Sequence, residues 1–113
     1  MTCIFCKIAD GEINSDIVFQ DLDVVAFRDV NPQAPHHILI IPRRHIATLN
    51  DLDEDATLLG GRLLYTASRV AKQFGIADDG YRLVMNCNDH GGQTVFHVHL
   101  HLLAGRPMRW PPG

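Results

Sequence analysis

VFHVHLHLL, residues 95–103, sets histidine at 97, 99 and 101 with an apolar residue after each. Its Val, Phe and Leu content predicts a strand over 95–103, and side chains along a strand alternate between faces. The three imidazoles then share one face, and Val98, Leu100 and Leu102 take the other. The apolar face belongs to a core, so the imidazole face needs a polar task. Residues two apart on a strand lie ~6.6 Å apart, and four apart ~13 Å. His97 and His101 therefore cannot easily meet on one small ion, and the spacing favours divided labour, with the central histidine at a phosphorus and its neighbours serving other partners. A neutral histidine whose one nitrogen donates to a fixed acceptor aims a lone pair from the other, which makes a nucleophile. Two other readings fit the segment: a solvent-facing strand, and a His-x-His catalytic metal site completed by a third ligand.

Working outward, residues 88–94 (NDHGGQT) form a glycine-rich loop. There Gly91 and Gly92 let backbone N–H groups turn toward an anion, and Gln93 and Thr94 add side-chain donors. Residues 81–87 (YRLVMNC) read as a strand. Leu59, Leu63, Ala67, Val70 and Phe74 recur at helical spacing across 56–75, with Asp53, Glu54 and Asp55 at the favoured end of the dipole. Gly60-Gly61 inside that helix costs about 1 kcal/mol per residue, which close approach to the sheet or to a second subunit would explain. Residues 36–42 (HHILIIP) read as a buried strand and 29–35 as a proline-punctuated loop. Residues 17–20 and 23–28 read as a hairpin, and 3–9 as a short helix. The sum is an α+β fold: one domain over 1–113, with a five-stranded antiparallel sheet, one main helix and a short N-terminal helix.

The chain has 113 residues, 46% of them apolar, and a formal charge of -3. That suits one globular core, and the absence of a Lys/Arg run argues against nucleic acid as a partner. No apolar run approaches a membrane span and Met1–Cys6 does not read as a signal peptide, so no membrane partner is expected and the cytoplasm is the default location. Three cysteines argue against a disulfide framework. Cys3 and Cys6 have the C-x-x-C spacing of half a zinc site, and His45 and His97 are candidates to complete a closed Cys₂His₂ set of the structural kind. A short amphipathic helix with two buried thiols reads the same spacing equally well.

HVHLHLL resembles the signature of the histidine triad family. IFCKI, AFRDVNPQAPHH, IIPRRHI, YRLVMN, GGQTVFHVHLHLL and GRPMRWPPG resemble, in order, its nucleotide-binding phosphoramidase branch. The resemblance implies hydrolysis of the P–N bond of purine nucleoside 5′-monophosphoramidates through a nucleotidylated His99. His101 would assist at the phosphate and His37 would line the site. Asn86, Gln93 and Thr94 match phosphate and leaving-group contacts, Thr94 standing for a family serine. Asp29 matches the carboxylate that takes the ribose hydroxyls, and Phe5, Ile13, Phe27, Val30 and Leu39 match the walls of the base slot. The family implies a homodimer sharing a ten-stranded sheet, with the Trp110 tail reaching toward the partner's site. It also implies structural zinc on Cys3, Cys6, His45 and His97. Asn14 stands where the branch usually has proline, and His36 and His90 match no family role and read as surface or loop residues. A dinucleoside polyphosphate hydrolase, or a nucleotide-binding scaffold with vestigial activity, are the competing expectations.

Overall fold

A computed structural model describes residues 3–113. The elements are α1 (Ile4–Ala9), β1 (Ile17–Gln20), β2 (Val24–Arg28), β3 (His36–Pro42), α2 (Thr57–Gln73), β4 (Tyr81–Val84), α3 (Asn88–Gly91) and β5 (Leu100–Ala104). Two 3₁₀ turns, Leu49–Asp51 and Glu54–Ala56, lead into α2. The strands form one antiparallel sheet in the order β1-β2-β3-β5-β4. This is the expected α+β architecture.

Alternation along the central strands builds a core on each face. Val24, Ala26, Ile38, Ile40, Leu100, Leu102 and Ala104 meet Leu63, Ala67, Val70 and Ala71 of α2. Val25, Phe27, Leu39 and Ile41 point the other way, onto Phe5, Ile8 and Ala9 of α1. Covering both faces explains why β2 and β3 are almost continuously apolar. Each fully buried Val, Leu or Ile contributes about 1.5–3 kcal/mol. Arg43 locks α1 to the sheet, because its guanidinium donates to Ala9 O at 2.6 Å, Asp21 O at 2.8 Å and Gln20 Oε1 at 3.0 Å.

Four expectations need correction. The strand expected over 95–103 begins only at Leu100. β3 pairs with β5 from Ile40↔Leu100 onward, and β3 ends at Pro42, which has no N–H to continue a ladder. Upstream, the chain turns to a different partner, with Val98 N donating to Ile46 O at 2.7 Å. The strand expected over 81–87 stops at Val84. The loop expected over 88–94 contains a helical turn, α3, ended by Gly92 at φ +80°. That conformation explains the glycine. Gly60 and Gly61 have no atom within 4 Å of where a Cβ would stand, so neither lies close against the sheet.

Candidate active site and metal centre

The metal candidates come together. Cys3 caps α1, its Sγ accepting from Cys6 N at 3.4 Å, and the i, i+3 spacing turns both sulfurs to one side. His45 follows β3 on an exposed loop, and His97 is fully buried beneath. His97 Nδ1 lies 3.4 Å from Cys3 Sγ, 3.5 Å from Cys6 Sγ and 3.2 Å from His45 Nδ1, and Cys6 Sγ lies 3.4 Å from His45 Nδ1. A tetrahedral zinc with its usual bond lengths sets sulfur and nitrogen about 3.5 Å apart and two nitrogens about 3.3 Å apart. The donor set therefore fits such an ion. His97 Nε2 lies 2.8 Å from Pro42 O. A carbonyl only accepts, so the ring hydrogen sits on Nε2 and the Nδ1 lone pair faces the sulfurs. Burial, then the neighbouring Cys3, pushes the Cys6 thiol up to about 11, so metal uptake would displace a proton there.

On the α1 side of the sheet a cleft of about 640 Å³ opens. Phe5, Ile13, Phe27, Val30 and Leu39 line it, together with Asp29, His37, Thr94, His99 and His101. Phe5 stands edge-on to Phe27, with ring centroids 5.5 Å apart, and to His99 at 5.1 Å. Ser15 and Gln33, which the sequence reading did not single out, and Asn14, which it noted only as a departure from the family's proline, also border the cleft. The α1–β1 and β2–β3 loops carry them there, and nothing in their residue type announces it.

The partners of each imidazole assign its hydrogen. His99 Nδ1 lies 2.7 Å from His97 O and must donate to it, which leaves Nε2 as a bare lone pair. Gln33 N donates to His37 Nδ1 at 3.0 Å, so the His37 hydrogen sits on Nε2. His37 Nε2 lies 2.9 Å from His101 Nδ1 and donates there, which places the His101 hydrogen on Nε2. Burial, then repulsion from His99 and His37, pushes His101 down to about 4, opposed by Asp29. Burial also lowers His37, with Asp29 3.5 Å away opposing it. Asp29, His37 and His101 lie close enough to suggest a metal trio. However, the only nitrogen His37 could offer an ion already carries the hydrogen it gives to His101. The two histidines form a hydrogen-bond relay that starts at Gln33 N, with Asp29 beside it.

Asn86, Gly92 and Gln93 do not line the cleft. Gln93 is buried and spent within the chain. Its Oε1 accepts from Asn88 N at 2.9 Å, and its Nε2 donates to Ala47 O at 2.8 Å and Val95 O at 3.1 Å. The backbone N–H groups of Gly92 and Gln93 close the α3 turn onto Asp89 O and Asn88 O, so the expected anion nest is not formed there. Of that loop only Thr94 reaches the cleft. His90 is exposed as expected. His36 lies in β3 instead, half-buried against Phe74 with its Nδ1 shielded from solvent.

An imidazole tied at Nδ1 beside a second imidazole, both bordering one apolar slot, is an arrangement suited to acting on a bound electrophile. The HIT domain family matches residues 10–108, and the chain belongs to that family. It is 57% identical over 105 residues to the purine nucleoside phosphoramidase of Escherichia coli K12, covering 93% of this chain and 88% of that protein. It is 52% identical to a 14 kDa zinc-binding protein of Zea mays over 97% of this chain and 87% of that one. A crystal structure of a HIT family hydrolase from Legionella pneumophila superposes with a TM-score of 0.97 at 54% identity, covering 99% of this chain and all of that one.

Proposed function

We propose that the chain, acting as a single domain over 1–113, hydrolyses the P–N bond of purine nucleoside 5′-monophosphoramidates through a nucleotidylated His99. The observation that carries this is the 2.7 Å bond from His99 Nδ1 to His97 O, which holds the Nε2 lone pair in place. The purine lies between Phe5, Ile13, Phe27, Val30 and Leu39, and Asp29 takes the sugar hydroxyls. Asp29 Oδ1 accepts from Asn31 N at 2.8 Å, so Oδ2 is the oxygen with capacity to spare. Packing against apolar walls admits adenine and guanine alike.

In the first step the Nε2–P bond forms as the P–N bond breaks. The P–N nitrogen takes a proton from solvent before the bond breaks, so that it carries the bond's electron pair away as the neutral amine. His101 Nε2–H donates to a phosphoryl oxygen and stabilises its growing charge. Water then attacks phosphorus and sheds a proton, and His99 leaves with its lone pair restored and Nδ1–H unchanged. Zinc on Cys3, Cys6, His45 and His97 would supply a cross-link, because a four-ligand protein site has no open position for substrate.

The chain also pairs with a second copy, one sheet edge joining the other's to make ten strands. β4 is an edge strand, and edge strands offer unpaired backbone groups. Leu64 and Tyr65 of α2 are exposed, and Arg82 Nη2 holds Arg109 O at 2.9 Å so that the Trp110 tail runs outward beside β4. Among the described residues no helix is long and apolar enough to cross a membrane. The test is turnover of an adenosine 5′-phosphoramidate of tryptamine by wild type and His99→Ala. Loss of turnover and of a trappable nucleotidyl-protein is expected, and equal turnover would refute the assignment. Sedimentation equilibrium tests the dimer.

A further inference from the structure

His97 belongs to both centres. Its ring faces Cys3, Cys6 and His45, while its backbone carbonyl accepts the Nδ1 hydrogen of His99. One residue thus separates the four-donor cluster from the group that orients the nucleophile. Two further contacts follow the same route. Phe5, which lies between Cys3 and Cys6 in the chain, stacks edge-on against both His97 and His99, with centroids 6.0 and 5.1 Å away. Val98 N, on the peptide that follows His97, donates to Ile46 O at 2.7 Å, and Ile46 is the residue after His45.

This stretch needs such support. The ladder between β3 and β5 begins at Leu100, so residues 97–99 are not held by strand pairing to β3. What fixes the His97 carbonyl is the Val98–Ile46 bond, the ring bond to Pro42 O, and whatever holds the ring's other nitrogen. That nitrogen presents a lone pair to two sulfurs and to a second imidazole. With nothing bound among them these groups gain little from staying together, and His45 is exposed and free to swing away.

We propose that metal held by Cys3, Cys6, His45 and His97 positions the nucleophile: ligation of the His97 ring fixes the His97 carbonyl and so the Nδ1–H tautomer of His99. His45, Cys3 and Cys6 are then positioning residues for the reaction, acting through His97 and Phe5. The kinetic part of this rests on His99 being the nucleophile, as proposed above. The tautomer part does not.

The experiment compares zinc-loaded wild type, the same protein stripped by a chelator, the stripped protein given Zn²⁺ again, and His45→Ala. Nitrogen-15 ring correlations report which nitrogen of His99 carries hydrogen, and steady-state kinetics on a phosphoramidate report kcat and KM. Loaded protein should show one His99 tautomer, protonated at Nδ1. Stripped protein and His45→Ala should show exchange between tautomers and a kcat lower by about two- to thirteenfold, the value of one net hydrogen bond, with KM changed far less. Zn²⁺ should restore the stripped protein. If stripping unfolds the chain, His45→Ala decides, because it removes only an exposed side chain. A folded, metal-free protein with an unchanged His99 tautomer and kcat would overturn the proposal, as would a wild type that takes up no zinc. A tautomer shift in a protein that turns over no phosphoramidate would leave the positioning intact and sink the proposed function instead.

Discussion

The relay from Gln33 through His37 to His101 predicts which substitutions of His101 are tolerated. His101 accepts at Nδ1 from His37 and is held low, to about 4, so near neutrality it is an N–H donor with no spare proton to give away. Protonating the pair would require a hydrogen on His37 Nδ1, where Gln33 N–H already points from 3.0 Å. A residue that acts only by donating a hydrogen bond can be replaced by another donor. His101→Ala should lower kcat by about 10²–10³, the usual cost of removing one preorganised donor to a developing oxyanion. His101→Gln, whose amide nitrogen can stand near the Nε2 position, should recover most of that loss. His37→Leu removes a 2.9 Å bond worth about 0.5–1.5 kcal/mol net, so it should lower kcat by about two- to thirteenfold by freeing the His101 tautomer. It also leaves Gln33 N–H without its acceptor, at a cost of about 1–3 kcal/mol in stability. Pre-steady-state measurement of nucleotidyl-His99 formation isolates the step concerned. If His101→Gln were as slow as His101→Ala, His101 would have to transfer a proton, and the neutral-donor reasoning would be wrong.

Acid should destabilise the fold through the same rings. Burial lowers His37 and His101 in the native state while the unfolded chain protonates near 6.5, so the unfolded chain binds more protons and stability falls as pH drops below 6.5 toward 4. Each ring adds at most about 1.4 kcal/mol per pH unit, and urea melts of wild type and His101→Gln at pH 7 and pH 5 should show the variant falling less. Gly105→Ala should cost at least about 1–3 kcal/mol by urea melt, because Gly105 sits at φ +96° and a Cβ would stand 2.7 Å from Pro35 Cβ. Unchanged stability would refute the close approach. Phe27→Ala should raise KM for the nucleotide and cost about 3–5 kcal/mol of stability, since Phe27 is buried between the α1 core and the cleft. An unchanged KM in a folded variant would place the base elsewhere.

The parts legible in the sequence were those fixed by local chemistry. VVAF read as one strand of a hairpin and HILIIP as a buried strand, and C-x-x-C with two histidines found its four donors in one place. The five residues that the family resemblance offered as base-slot walls line one cleft, although only Phe27 and Leu39 stand on strands and Phe5, Ile13 and Val30 come from α1 and the loops. What failed depended on backbone partners that residue types do not announce. The alternation of 97, 99 and 101 suggested a strand, yet Pro42 ends the ladder and Ile46 replaces it as partner. GGQ suggested an anion nest, yet its N–H groups close a helical turn and Gln93 stitches two loops together. Arg43, which ties α1 to the sheet, belongs to the quoted IIPRRHI stretch, and nothing in its residue type announces that role.

The three histidines are identical side chains, and their different tasks come from what each ring nitrogen meets. His97 gives its hydrogen to the Pro42 carbonyl and so turns a lone pair to the sulfurs. His99 gives its hydrogen to the His97 carbonyl and so turns a lone pair toward the cleft. His101 receives a hydrogen from His37 and so turns a donor toward the cleft. In the function proposed above, metal ligand, nucleophile and phosphate donor would thus be distinguished by two backbone carbonyls and one outlying imidazole. A change at the Gln33 amide, which starts the His101 relay, should therefore disturb the chemistry through that relay. Gln33→Pro deletes that N–H, and should lower kcat in step with His37→Leu while leaving zinc content unchanged.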